Sequence, residues 1–330
     1  MLVMKRLFGI ALLLASLPAL AETTLLNASY DVSREFYKEY NPLFVNYWKQ
    51  KSGEDVRINQ SHGGSSKQAR AVVDGLEADV VTMNQSIDID ILAEKQLIPA
   101  NWAERFPHGS SPFTSTLVFL VRKGNPKQIK SWDDLTKPGV SVIIPNPKTS
   151  GNGRYSYLAA WGSVIKNGGT DTQAKEFVGK LFANVPILVT GGRDATTTFV
   201  QREIGDVLVT FENEVSLIKQ EYGADKIDVV YPPISIVADL PVSVVDKVVD
   251  KRGTRKTAEA YLQYLYSPEA QEVAAKHELR PRDAVILAKY KSTLPPLKLF
   301  TVEEVFGSLK QAQAAHFKDG GTFDQIFKNK

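Results

Sequence analysis

The residues best suited to chemistry in this 330-residue chain form a short polar loop ahead of a helix. Thr149 and Ser150 supply hydroxyl groups, while Gly151 and Gly153 lack the Cβ atom that would hold a ligand away from the backbone. At a helix start several backbone N–H groups have no intrahelical partner, and the peptide dipoles add partial positive charge. The pattern is typical of an anion site, although an ordinary capped helix start uses the same residue types.

The elements on either side of this loop follow from its flanking hydrophobic pattern. Val140 to Ile144 is a short, mainly apolar run bounded by Gly139 and Pro145, which predicts a buried strand. After the loop, Tyr157, Trp161 and Val164 recur at helical spacing, and Gly168 marks the predicted helix end. The loop therefore lies between the carboxyl end of a strand and the start of a helix.

The same order of strand, polar loop and helix recurs in three other parts of the chain. The loops are residues 30–33, 61–66 and 190–197, and the last two contain paired glycines. Strands that alternate with helices predict a parallel sheet whose ligands gather beyond the carboxyl ends of the strands. A fully ionised tetrahedral oxyanion carries only hydrogen-bond acceptors, so a ring of neutral N–H and O–H donors is sufficient to bind it.

The first residues predict export, and the remaining composition limits the choice of partner. Lys5 and Arg6 precede the apolar run Leu7 to Leu17 and a small-residue cleavage pattern at Ala19 to Ala21, so residues 1–21 read as a secretory signal peptide. No later stretch is apolar for long enough to span a bilayer, which argues against stable membrane insertion. The formal net charge of +3 falls further when the leader is removed, and this argues against nucleic acid as a partner.

Catalytic, metal and cofactor chemistry finds little support. Of four histidines, only His62 lies in a candidate loop, near Ser65, and no third group to orient the pair is apparent. Asp88 and Asp90 are two residues apart on a predicted helix and would face apart, and the chain has no cysteine. The loop at 151–153 is not followed by Lys-Ser, as a nucleotide-binding loop requires. We therefore expect no catalytic residue, no metal and no cofactor.

The length of the chain predicts two lobes, each with its own core. An apolar strand ends near Pro126, and we place the first crossing between lobes shortly before it. The return is placed at Pro232, because proline-rich segments mark connections. The predicted organisation is lobe one at 22–115 and 234–330, with lobe two at 116–233.

Four motifs resemble those of the periplasmic sulfate/thiosulfate-binding proteins. They are Tyr30-Asp31, Ser61 to Ser65, Asn146 to Asn152, and Thr190 to Arg193, and the resemblance extends over essentially the whole mature chain. It implies an α/β, two-lobed periplasmic-binding-protein fold of type II, with a hinge and an interlobe cleft. It also implies a periplasmic monomer that binds sulfate or thiosulfate with high affinity. Such a receptor delivers the anion to the membrane permease of an ABC importer for sulfur uptake.

The resemblance also implies a set of ligand-binding residues. In the sulfate-specific branch, the position of Phe211 holds tryptophan, whose indole N–H donates to the anion; phenylalanine cannot donate. The segment Phe211 to Glu214 looks like the thiosulfate branch, whereas Arg280 to Asp283 looks like the sulfate branch, and the subtype stays open. Carried over position by position, the contacts are the backbone N–H groups of Asp31, Gly151, Asn152 and Gly192, the hydroxyls of Ser65 and Ser150, and the ring of Phe211.

Two other functions use the same anion cradle. One is hydrolysis of sulfate or phosphate esters by a secreted enzyme, and the other is a receptor for phosphate or molybdate. Phosphate keeps a proton over much of the ordinary pH range and needs an acceptor for it, so a donor-only site disfavours phosphate. We expect the carboxylate of Asp31 to point away from the ligand.

Overall fold

The computed structural model describes residues 22–328 as two lobes, each built on a four-stranded sheet. The predicted signal peptide lies outside the described residues. The strands are β1 (Thr23–Tyr30), β2 (Val56–Gly63), β3 (Val80–Thr82), β4 (Phe113–Ser115), β5 (Leu117–Arg122), β6 (Val142–Ile143), β7 (Val207–Phe211), β8 (Ile227–Val230), β9 (Ser235–Ile236), β10 (Ala238–Asp239), β11 (Val242–Val244), β12 (Arg280–Pro281) and β13 (Leu299–Phe300). The helices are α1 (Arg34–Ser52), α2 (Ser65–Val73), α3 (Ser86–Glu94), α4 (Pro107–Ser110), α5 (Gly151–Lys166), α6 (Asp171–Ala183), α7 (Gly192–Thr196), α8 (Val215–Tyr222), α9 (Asp246–Arg252), α10 (Arg255–Tyr264), α11 (Pro268–Lys276), α12 (Ala284–Lys289), α13 (Val302–Phe306), α14 (Leu309–Ala312) and α15 (Thr322–Lys328).

The sheet of the first lobe has the strand order β11-β3-β1-β2. Strand β1 runs parallel to both neighbours, with Asn27 opposite Gln60 on one side and Val80 on the other, whereas β11 is antiparallel to β3. Because β1 and β2 end side by side at Tyr30 and Gly63, the two polar loops that follow them emerge at the same edge. The predicted parallel arrangement is confirmed for these three strands.

Helix α1 shows how the sequence pattern builds this lobe. Phe36, Tyr40 and Phe44 recur at helical spacing and are buried, and Phe44 packs edge to face on Tyr261 of α10. The helix ends at Gly53, whose φ of 75° suits a residue without a Cβ and lets its N–H bond to a carbonyl of the last turn. The apolar stripe and the glycine stop therefore fix both the face and the length of the helix.

The sheet of the second lobe has the order β6-β7-β5-β8, and its strands do not all run the same way. Strands β6 and β7 are parallel, but β5 is antiparallel to both β7 and β8, with Leu117 opposite Phe211. Strand β5 follows β4 with only Thr116 between them and no crossover helix, so the alternation of strands and helices does not set its direction. Helix α5 packs on this sheet and is buried from Gly151 to Ser163.

Two stretches near the C-terminus belong to the core of the second lobe. Residues 234–238 and 299–326 place apolar side chains against α5 and α6, and β9 pairs with β13. The sequence pattern predicts that all of 234–330 lies in the first lobe, whereas these contacts place both stretches in the core of the second. The connection responsible is the pair Pro295-Pro296, after which Phe300 enters the second core.

The connection between lobes is reinforced by a buried ion pair. Arg280 of β12 donates from Nε and Nη2 to the two carboxylate oxygens of Glu212, at 2.6 and 2.8 Å. Glu212 directly follows β7 of the second lobe, while β12 pairs with β4 beside the first. Breaking such a pair leaves one buried charge without a partner, so this pair holds the strands that join the lobes.

Candidate functional site

The start of α5 forms the second-lobe part of the site. Ser150 is the N-cap residue, and its Oγ accepts the backbone N–H of Gly153 at 3.4 Å, which leaves the hydroxyl hydrogen available for an acceptor in the cleft. A Cβ on Gly151 would overlap the side chain of Asn84, and one on Gly153 would overlap the backbone at Pro145. Packing against the backbone therefore requires glycine at position 153, whereas a side chain at position 151 would displace the amide of Asn84.

The first turn of α7 lies beside the start of α5. Gly192 is the first residue of α7, and a Cβ there would lie 3.5 Å from Nδ2 of Asn152 and 3.2 Å from Oε1 of Glu214. The backbone N–H groups at both helix starts lack intrahelical partners. The structure thus brings together Ser150, Gly151, Asn152 and Gly192, and their predicted contact with a ligand stays a prediction.

The first-lobe residues lie across the cleft from these helix starts. Ser65 begins α2 and is buried, and its Oγ donates to Oδ2 of Asp88 at 2.5 Å while accepting the backbone N–H of Asn84 at 3.2 Å. Asn84 in turn lies against Gly151, so Ser65 is one residue removed from the start of α5. The hydroxyl of Ser65 therefore already has an acceptor, unlike that of Ser150.

Asp31 occupies a short 3₁₀ turn directly after β1. It lines an interlobe cavity of about 410 Å³ together with Arg193 and Glu214 of the second lobe. Burial raises the pKa of Asp31, and the charge of Arg193 acts in the opposite direction. The turn that carries Asp31 contacts α7, so this residue lies next to the second predicted helix start.

Phe211 is the last residue of β7 and is fully buried. Its ring packs edge to face on Tyr155 of α5, with 5.8 Å between ring centroids, inside the apolar core of the second lobe. The ring thus packs against the second turn of α5. Its predicted position against the ligand stays a prediction.

Several polar residues around the cradle were missed by the sequence analysis. Arg154 of α5 reaches across the cleft, with Nη1 3.4 Å from Oγ of Ser66; burial lowers the pKa of Arg154, and nearby Asp88 counteracts this. Burial raises the pKa of Glu214 to about 7, hydrogen bonds from Thr210 and Asn152 lower it, and the charge of Asp31 raises it. The available signal was that Glu214 and Asp88 are acidic residues close to the carboxyl ends of strands.

Two arrangements bear on whether the protein could be catalytic or bind a metal: the pair of Ser65 and His62, and clusters of metal-ligating side chains. Ser65 donates a hydrogen bond to Asp88. His62 is half-buried, and its pKa is lowered by burial and by the charge of Arg34. Among the described residues, 22–328, no hydrogen bond joins His62 to Ser65. Within that same range, no cluster of three His, Cys, Asp or Glu side chains suits a metal ion. None of the helices over these residues is both long and apolar enough to cross a membrane.

Comparison with known proteins places this geometry in a family context. A family model described as bacterial extracellular solute-binding protein matches residues 32–280. A thiosulfate-binding protein of Pseudomonas aeruginosa is 60% identical over 329 residues, covering 98% of this chain and 99% of the relative. A sulfate-binding protein of Salmonella typhimurium is 56% identical over 322 residues, covering 97% and 98%. The solved structure of the sulfate-binding protein SubI from Mycobacterium tuberculosis has a TM-score of 0.79 at 31% identity, covering 88% of this chain and 98% of that one.

Proposed function

Because the chain belongs to the bacterial extracellular solute-binding proteins, we propose that it binds sulfate or thiosulfate between its lobes, in the periplasm, and delivers the anion to the permease of an ABC importer. The predicted two-lobed α/β fold is confirmed by the likeness to SubI. Relatives named for both anions cover nearly the whole chain, so binding without catalysis is the function that the chain supports best.

The observation that carries the proposal is the start of α5. A hydroxyl hydrogen at Ser150 and the backbone N–H groups of Gly151 and Asn152 come together where the helix dipole adds positive charge. These groups are donors only, which matches an anion that carries no proton. The glycine at position 151 admits an anion oxygen close to the backbone.

The two lobes supply complementary parts of the cradle. Asp31 and Ser65 are on the first lobe, and Ser150, Asn152 and Gly192 are on the second, so neither lobe completes the cradle alone. Binding therefore favours the closed arrangement, as in hinge closure of periplasmic binding proteins generally. Small-angle scattering should give a smaller radius of gyration with saturating sulfate, and an unchanged radius would contradict this closure.

Calorimetric titration with sulfate, thiosulfate, phosphate and molybdate tests the function directly. Several charge-assisted hydrogen bonds, each worth ~1.5–3 kcal/mol before the costs of association, support a dissociation constant at or below about 1 μM. We expect this for sulfate or thiosulfate, and at least tenfold weaker binding of phosphate because its proton would face a donor. Absence of binding by both sulfur oxyanions would overturn the proposal.

Phe211 bears on the choice between the two anions. Its ring has no donor, and a terminal sulfur is a weaker acceptor than oxygen, so an apolar neighbour penalises thiosulfate less than sulfate. Competition between the two anions, repeated with Phe211→Trp, tests this point. We expect the variant to shift the preference towards sulfate by several-fold; an unchanged preference would remove Phe211 from the ligand's surroundings.

A secreted ester hydrolase is the alternative with the same cradle. Assay with chromogenic sulfate and phosphate esters separates the two functions, because a binding protein gives no turnover. Turnover that disappears in Ser65→Ala would replace the proposed function by hydrolysis.

A further inference from the structure

Glu214 is a buried carboxyl group beside two residues of the proposed cradle. It is 3% exposed and follows β7 by three residues, in the short 3₁₀ turn Glu212–Glu214. Its Oε1 lies 3.3 Å from Nδ2 of Asn152, and its Oε2 accepts the hydroxyl of Thr210 at 2.7 Å. A carboxylate close to an anion site is unfavourable by Coulomb's law, so its position calls for another role.

The side chain of Asn152 is held at both ends of its amide. Nδ2 donates to Oγ1 of Thr210 at 3.0 Å as well as to Glu214, and Oδ1 accepts the hydroxyl of Ser156 at 3.3 Å. All four side chains are buried. These bonds keep the amide of Asn152 within the second lobe, so only its backbone N–H is offered towards the cleft.

We propose that Glu214 is a positioning residue of the anion cradle, which acts through the side chain of Asn152 to fix the first turn of α5. The inference rests on the proposed function, because it concerns how the cradle donors are aimed. Glu214 is the acceptor that satisfies both Asn152 and Thr210, and it lies against Gly192 at the start of α7. One side chain thus adjoins both helix starts of the second lobe.

The physical reason is that these bonds hold the first turn of α5, with the backbone N–H groups of Gly151 and Asn152, against the end of β7 and the start of α7. When Glu214 loses its carboxylate, the hydroxyl of Thr210 and one amide hydrogen of Asn152 lose a buried acceptor. The side chain of Asn152 then loses one of its two ties to the residues at and after the end of β7, so the first turn of α5 is held less firmly against them. An N–H that is misdirected at the helix start weakens its hydrogen bond to the anion, because this bond depends on angle.

The test is a double-substitution cycle on the full mature protein, with sulfate and thiosulfate as calorimetric ligands. Glu214→Ala is measured in the natural background and in the Asn152→Gly background, where no amide side chain remains to be held. We expect about tenfold weaker binding in the first background and no more than about twofold in the second. Equal losses in both backgrounds would show that Glu214 acts through general stability, and would overturn the inference.

Glu214→Gln separates positioning from charge. Glutamine keeps one acceptor oxygen for Nδ2 of Asn152, and its NH2 group donates to Oγ1 of Thr210, so we expect its dissociation constant to stay within about threefold of that of the natural protein. If Glu214 acted only as a repelling charge, both Glu214→Gln and Glu214→Ala would bind the anion more tightly, and that result would also overturn the inference. Absence of binding by the natural protein would instead overturn the proposed function, which distinguishes the two failures.

Discussion

The two halves of the proposed cradle are prepared to different degrees. On the second lobe, Ser150 caps a 16-residue helix and keeps its hydroxyl hydrogen available, and the donors of Gly151 and Asn152 belong to the first turn of that helix. On the first lobe, Ser65 begins a nine-residue helix, and its single hydrogen is already donated to Asp88. We therefore expect binding to use the second-lobe half without rearrangement and to require the exchange of a hydrogen bond at Ser65 on the first lobe.

Because of this difference, we expect Ser150 and Ser65 to contribute unequally to the free energy of anion binding, although both offer a hydroxyl group. A hydroxyl group whose hydrogen has no partner contributes the full free energy of a new hydrogen bond when the anion binds. A hydroxyl group that already donates to a carboxylate contributes only the difference in free energy between the new hydrogen bond and the old one. The second lobe should therefore set the affinity. The first lobe should mainly close over the bound anion.

The largest effect is expected for Ser150→Ala. The variant loses a donor in a site closed to water, and about 1.5–3 kcal/mol of binding energy, or roughly tenfold to a hundredfold in the dissociation constant, should go with it. Calorimetry with the preferred anion measures this loss. Ser163→Ala is a matched control, because Ser163 is also buried on α5 but donates to the carbonyl of Ala160. Equal effects of the two substitutions would remove Ser150 from the site.

The pH dependence of stability tests the part of the second-lobe core that packs against α5, the helix that carries the second-lobe half of the cradle. His316 accepts or donates a hydrogen bond with the hydroxyl of Tyr157 on α5, at 3.0 Å from Nδ1, and burial lowers its pKa from 6.5 to about 4. Between pH 4 and pH 6.5 the unfolded chain therefore binds more protons at His316 than the folded chain does. The contribution of His316 to the free energy of unfolding is thus fully present above pH 6.5 and is lost as the pH falls towards 4.

A matched substitution isolates this contribution. His316→Asn keeps a polar group near Tyr157 but does not titrate, so denaturant unfolding should show a smaller loss of stability between pH 7 and pH 4.5, by about 2 kcal/mol. Glu214 and Glu278, whose pKa values burial raises to about 7, act in the opposite direction in both proteins and cancel in the comparison. Parallel pH profiles for the two proteins would contradict the assignment to His316.

Much of the second-lobe half could be predicted from sequence because it depends on local features. A capping serine, two glycines and an apolar stripe specify the start of α5 within a few residues of one another. The return of residues 299–326 to the second core could not be predicted, because their apolar faces suit either lobe equally well. The hydrogen bond from Ser65 to Asp88 joins residues 23 positions apart and depends on tertiary packing of α2 on α3.

A smaller effect is expected for Ser65→Ala. Its hydroxyl must leave Asp88 to reach the anion, so we expect only about twofold to fivefold weaker binding, less than for Ser150→Ala. Ser61→Ala is the control, since Ser61 lies four residues earlier, near the end of β2, and donates to Gln68. A loss for Ser65→Ala as large as that for Ser150→Ala would show that the two halves are equally prepared, and the comparison between them would fail.

The smallest effect on binding is expected for Lys148, which lies in the loop ahead of α5 (residues 146–150, the anion loop) and ties this loop to the C-terminal segment. Nζ of Lys148 lies 2.8 Å from Asp319 and 2.9 Å from Asp324, so it ties the loop ahead of Ser150 to residues of the last helix and the turn before it. Partly exposed ion pairs are individually weak, at ~0.2–1 kcal/mol, but this one adjoins the loop that leads into Ser150.

Lys148→Met should therefore weaken anion binding by about twofold to fourfold while leaving the unfolding midpoint nearly unchanged. Lys166→Met is the matched control, because Lys166 at the far end of α5 pairs with Glu304 of the same C-terminal segment at 2.6 Å. It removes an equivalent charge and an equivalent tie, but far from the anion loop. If both variants weaken binding equally, the effect is one of net charge or of general attachment of the segment. If only Lys148→Met weakens binding, residues near the C-terminus help to hold the second-lobe half of the cradle in its binding geometry.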